Sequence, residues 1–136
     1  MNARPIVSHV EGKYLIRFDT PILYAESYKN IEMIIKEVIA KGLKVEIDLS
    51  VVTNINNDFF GSIYREYILS KPRSEVRQAF ERMQRDLILI VRKHSPLYER
   101  MQSEKKGLLG LFEYRINNDE TLLPSAPTEH YSSAAH

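Results

Sequence analysis

The sequence predicts an α/β domain in which strands alternate with helices and the later strands run parallel. Three observations carry that expectation. Tyr24–Lys41 repeats apolar residues at helical spacing, whereas Lys44–Leu49 alternates apolar and polar residues. Only Gly42 and Leu43 separate these two segments, and so short a helix-to-strand link suits α/β layer packing. Farther along, Leu87-Ile88-Leu89-Ile90-Val91 is an unbroken apolar run with three β-branched residues, the pattern of a strand buried on both faces.

The elements follow in order. Ile6–Glu11 and Lys13–Asp19 read as two strands around Gly12, a hairpin signal. Thr20-Pro21 ends the second, because proline cannot donate to a ladder. In the helix from Tyr24, the inward stripe is Tyr28, Ile31, Ile35 and Val38, widened by Ile34 and Ile39. Glu32/Lys36 and Glu37/Lys41 stand at i,i+4, and Gly42 is placed to terminate the helix. After the strand Lys44–Leu49, a helix from Asp58 to about Ser70 would bury Phe60, Ile63, Tyr64, Tyr67 and Ile68, with Asp58 as N-cap. Lys71-Pro72 breaks it. Arg73–Arg85 is then a separate amphipathic helix with Val76, Ala79, Phe80 and Met83 inward, followed by the apolar strand within Asp86–Arg92. Ser95-Pro96 signals the start of a helix reaching about Lys105, with Leu97 and Met101 inward and Gly107 beyond its end. Leu111–Ile116 is the last strand. The expected order is β-β-α-β-α-α-β-α-β: a domain over residues 1–120, with a mobile, disordered tail over 121–136.

Composition narrows function. The 136 residues suffice for one domain with its own core, at 43% hydrophobic and 27% charged residues. A formal net charge of +1 gives no whole-chain attraction to nucleic acid or anionic membrane. The chain has no cysteine, which removes thiol catalysis and disulfides. It shows no signal-peptide core and no apolar run of the roughly 20 residues that cross a bilayer, so a cytoplasmic protein without membrane insertion is expected. His9 and His94 lack partners at metal-ligand spacing, and no phosphate-binding glycine loop or nucleophile elbow occurs. No catalytic residue, metal or cofactor is therefore expected. Arg65 to Lys93 holds eight basic residues against four acids, read either as a solvated helix face or as a patch for an acidic partner. No nucleic-acid motif accompanies it.

The segment Lys44–Ser62 concentrates polar chemistry where a strand turns into a helix. Asn54, Asn56, Asn57 and Asp58 lie in the turn, followed by Phe59, Phe60, Gly61 and Ser62. Asn and Asp favour turns and caps through their short side chains, which accounts for part of the pattern. A helix N-terminus also favours anions, but Asp58 brings its own negative charge and competes with one. Phe59 is either a core residue or an exposed anchor for a partner.

These residues resemble a known family. The stretch DLSVVTNINNDFFGSIY looks like the central motif of STAS domains, the fold of bacterial anti-sigma-factor antagonists, in which a strand leads through a short loop into Asp-Ser-Ser-Gly-Leu-Gly and a helix. EGKYLIRFDTPI and DLILIVRKHSPLYERMQSEKKGLLGLFEYRINNDE resemble the flanking elements, so the likeness spans about Ile6–Glu120. It implies a roughly five-stranded mixed sheet packed with three to four helices. It also implies a non-catalytic regulatory module of bacterial signalling, docking an anti-sigma factor, kinase or phosphatase through Asn54, Asn56, Asn57, Asp58, Phe59 and Ser62. The match puts Asn57 at the family's phosphorylated Ser, and Asn has no hydroxyl to modify. The usual phospho-switch is therefore absent there, leaving Ser50, Thr53 and Ser62 as the nearest hydroxyls. Two alternative roles remain open: an accessory subunit of a transporter ATPase, and a sensor holding a small molecule or lipid near Tyr64, Tyr67, Phe80 and Met83.

Overall fold

The chain enters the fold through a hairpin. In this computed structural model, residues 5–23, 25–55 and 57–117 are described, the side chains of 25–28 excepted. Tyr24, Asn56, the Tyr28 side chain and the expected tail lie outside the described residues. Strands β1 (Ile6–Val10) and β2 (Lys13–Arg17) pair antiparallel, Val10 opposite Lys13. The two residues between them, Glu11 and Gly12, have φ of 44° and 80°. Two successive left-handed residues make the turn whose twist matches the strands, and glycine adopts it without a Cβ penalty.

Helix α1 (Ala25–Lys41) follows, with Ile31, Ile35 and Val38 fully buried. It ends as the sequence suggests: Gly42 takes φ 68°, its N–H donates to the Ile39 carbonyl, and the Leu43 N–H donates to the Val38 carbonyl. This pair of bonds satisfies carbonyls that the helix end leaves open. Lys41 Nζ donates to Glu37 Oε2 at 2.8 Å, whereas Glu32 faces Arg65 at 3.7 Å. Strand β3 (Lys44–Asp48) leads to α2 (Asn57–Tyr64), which continues as a π-helical turn over Arg65–Leu69. A 3₁₀ turn at Arg73–Glu75 opens α3 (Val76–Asp86), and β4 (Leu87–Arg92) follows directly. Helix α4 (Pro96–Ser103) is capped by the Ser95 hydroxyl, which accepts from the Tyr98 N–H at 3.1 Å. A 3₁₀ turn at Leu108–Leu111 precedes β5 (Tyr114–Asn117).

The five strands form one mixed sheet in the order β1-β2-β3-β4-β5. Only β1 is antiparallel to its neighbour; β2, β3, β4 and β5 run parallel. A parallel neighbour requires a crossover, and crossovers of one hand that always step in the same direction put every connecting helix on the same face. Burial follows that rule. Ile16, Val45, Ile47, Leu87, Leu89 and Val91 are sealed on the helix face. Leu15, Glu46, Asp48, Ile88 and Ile90 are only half-buried on the other.

Four sequence expectations are thereby corrected. Strand β4 is sealed on one face only, because none of the described connecting helices crosses the second. Val76 is 37% exposed and does not point inward: residues 72–78 are all exposed, so α3 overhangs the core at its start and packs through Ala79 and Met83. Leu111 belongs to a 3₁₀ turn, so β5 begins at Tyr114, later than the apolar pattern suggested. Asp58 lies inside the first turn of α2, which starts at Asn57, and so it is not the N-cap.

Candidate functional site

The carboxyl ends of the parallel strands β2, β3 and β4 open onto one rim, the place where open α/β sheets present their binding loops. The loop after β3 is built from both sides. Asp48 Oδ1 accepts from the Ser50 N–H at 2.9 Å and from the Ser50 hydroxyl at 2.5 Å, which turns the chain sharply off the strand. Asn117 Nδ2, at the end of β5, donates to the same hydroxyl at 3.2 Å. The loop after β2 then clasps this one: the Pro21 carbonyl accepts from the N–H groups of Thr53 and Asn54 at 2.8 and 2.9 Å, and the Leu23 N–H donates to the Asn54 carbonyl at 3.2 Å.

Helix α4 supplies the third wall. Arg100 Nη1 donates to the Ile55 carbonyl at 2.6 Å, and Arg100 Nη2 donates to Asn57 Oδ1. Its Nε faces Glu104 Oε2 at 3.4 Å, one turn along the same helix. One guanidinium fork thus holds the loop end and the first residue of α2 together. Its planar donors suit that double engagement.

The structure divides the expected contact residues. Asn54, Asn57 and Asp58 are exposed on the rim. Asn56 lies outside the described residues. Phe59 and Ser62 are corrected: both are buried, Phe59 at 0% exposure, and neither offers a surface to a partner. Phe59 stands edge-on to Phe18 at 6.1 Å and to Phe60 at 5.2 Å, and Phe60 in turn meets Phe112 at 5.7 Å. This aromatic chain is the floor under the rim. Phe59 and Phe60, consecutive in the first turn of α2, are both buried in the core.

The hydroxyls separate in the same way. Ser50 and Ser62 are buried, whereas Thr53 is exposed, its Oγ1 donating to the Pro21 carbonyl at 3.2 Å. His94, after β4, adopts φ 66° on the same side of the sheet, with its ring 5.9 Å from Tyr98 and Nδ1 3.8 Å from Glu99. Tyr67 and Met83, two of the residues read as a possible ligand cleft, are fully buried, while Tyr64 and Phe80 pack against the core. The Tyr67 hydroxyl has no hydrogen-bond partner among the described residues. Burial first, and the Asp86 carboxylate second, push its pKa well above the usual phenol range. Among the described residues no three His, Asp or Glu side chains come together as a metal-binding group, and no helix is long and apolar enough to cross a membrane.

Arg100 is the residue of this candidate site that the sequence did not single out. Its visible signal was an i,i+4 partner, Glu104, which suggests only a solvated helix face; the contact that matters spans 43 positions. No family model and no curated protein matches the chain.

Proposed function

We propose that the chain is a non-catalytic interaction module of the STAS-like, anti-sigma-factor-antagonist type, which docks a regulatory protein through its rim. The observation that carries this reading is the Arg100 clamp. It holds the Ile55 carbonyl and the Asn57 amide oxygen, so that Asn54, Asn57 and Asp58 are presented on a braced loop above a closed aromatic floor. A pre-ordered polar loop loses little conformational entropy on binding, which favours recognition by hydrogen bonds and charge. Asn57 occupies the position of the family's phosphoacceptor, and its amide is committed to Arg100. The module is therefore held in one binding state, with no phosphorylation switch at that residue. Sheet order and the one-sided helix layer support the same fold type.

The test is affinity capture from the source cells followed by titration calorimetry with the purified partner. Asp58→Lys reverses the one acidic charge of the first α2 turn and weakens binding at least tenfold, equivalent to about 1.4 kcal/mol. Arg100→Ala, which unclamps the loop, weakens it less. Lys36→Glu, on the exposed side of α1, serves as control. Equal affinity of Asp58→Lys and wild type for the partner would remove the rim from the interface.

A further inference from the structure

The sheet ends on one side in β1, and among the described residues nothing pairs with its outer edge. All five residues of this strand are exposed. Its sequence, Ile6-Val7-Ser8-His9-Val10, contains no Lys, Arg, Asp, Glu, Pro or Gly. Those residues ordinarily blunt a sheet edge against further pairing. Instead Ile6, Val7 and Val10 are 44%, 43% and 47% exposed. The opposite edge differs. Strand β5 is four residues long, its Arg115 is bound to Glu46 at 2.9 Å, and its Asn117 is bound to Ser50.

We propose that β1 is a homodimer interface, two copies pairing edge to edge and antiparallel about a two-fold axis at Ser8. That register sets Ile6 opposite Val10 of the second copy, and Val7 opposite its His9. The two faces of the strand agree with it. Ile6, Ser8 and Val10 lie over Arg17, Leu15 and Lys13 on the open face, while Val7 and His9 lie over Ile16 and Tyr14 on the helix face. The His9 ring already rests 4.8 Å from Tyr14, so each copy extends an apolar shelf toward the axis.

Charge selects this occupant. The edge is neutral and offers nothing to attract a charged peptide strand, whereas it is self-complementary. Among the described residues, the nearest cations, Lys13 and Arg17, sit one strand behind it and are held by Glu46 at 2.9 Å and Asp19 at 3.2 Å. Among the described residues, therefore, no uncompensated like charges meet across the axis. A five-residue edge pair falls at the small end of specific interfaces, below about 1,200 Å² of buried surface. The dimer is thus weak and reversible, with a dissociation constant on the order of 10–100 μM. Both helix layers would lie on one side of the joined sheet, and the two rims would face opposite ends of it.

Sedimentation equilibrium of the full chain from 5 to 500 μM tests this (concentrations set about the roughly 10–100 μM expectation). The expected result is a mean mass rising from 15.9 kDa toward twice that value. Ser8→Lys, at an exposed position, sets two cations face to face on the axis and raises the dissociation constant at least tenfold; Glu113→Lys, exposed beside β5, leaves it unchanged. Hydrogen exchange of the wild type gives an independent reading: the β1 amides gain protection with concentration. A monomer at every concentration, or an association that a natively folded Ser8→Lys variant retains in full, overturns the proposal. So does β1 protection that appears only when another protein is added, because that assigns the edge to a partner's strand.

Discussion

Ile88 and Leu89 are neighbours on β4, yet Leu89 is sealed beneath the helices and Ile88 is half-buried on the opposite face. The same division runs across the sheet. On the helix face, Val45, Ile47 and Leu89 form an unbroken apolar layer. On the open face, Glu46 bridges Lys13 and Arg115, each at 2.9 Å, and Ile6, Leu15, Arg17, Asp48 and Ile90 line a shallow hollow of about 260 Å³. A sequential strand order explains the asymmetry: every crossover returns on the same side, so one face receives all the helices and the other must be finished with side chains alone. Burial stabilises the first face, and paired charge over a thin apolar layer keeps the second soluble.

The largest effect that sharpens this contrast is Phe59→Ala, which removes a ring from the aromatic chain under the rim. It should cost about 3–5 kcal/mol in urea unfolding. A cost below about 1 kcal/mol, as surface substitutions give, would mean that Phe59 is not core. Leu89→Ala and Ile88→Ala compare the two faces on one strand. The first should cost about 2–5 kcal/mol, the second about half as much, since part of the Ile88 side chain stays in water. Equal costs would erase the distinction between the faces.

Glu46→Gln addresses the open face directly. Lys13 and Arg115 are partly exposed, so the loss at neutral pH should be only about 1 kcal/mol. Burial alone would raise the Glu46 pKa, but hydrogen bonds from Lys13 and Arg115, with their charges, outweigh it and hold the carboxyl below its ordinary value. A carboxyl depressed in the folded state stabilises above its unfolded pKa of about 4.3 and loses that contribution as pH falls through the folded value. Wild type and Glu46→Gln should therefore converge in stability in acid; a constant difference between about pH 7 and pH 3 would contradict the pairing. Tyr67→Phe should give the smallest change and the opposite sign. Removing a buried hydroxyl that lacks a partner among the described residues should raise stability by about 1 kcal/mol or less.

Much of the architecture was legible because local chemistry and global fold agree. Gly12 between two alternating runs marked the hairpin, Ser95-Pro96 marked the start of α4, and Gly42 marked the end of α1. The rim was legible only in part. The density of Asn and Asp located the loop, but periodicity assigns one face per helix and could not decide whether Phe59 joined Phe60 inside. Ser50 stood in the sequence only as one of the hydroxyls nearest the loop; its bond to Asp48 is local, whereas its bond to Asn117 comes from far along the chain. The Arg100 contact left no local trace at all.

By itself the sequence determined the order and type of the elements, because turn residues, caps and hydrophobic period act within a few positions of where they stand. Tertiary structure decided which face each element buries, that all helices share one side of the sheet, and that a guanidinium on α4 braces the loop before α2. Those outcomes depend on crossover geometry and on side chains brought together from distant parts of the chain, and no short window of sequence contains them.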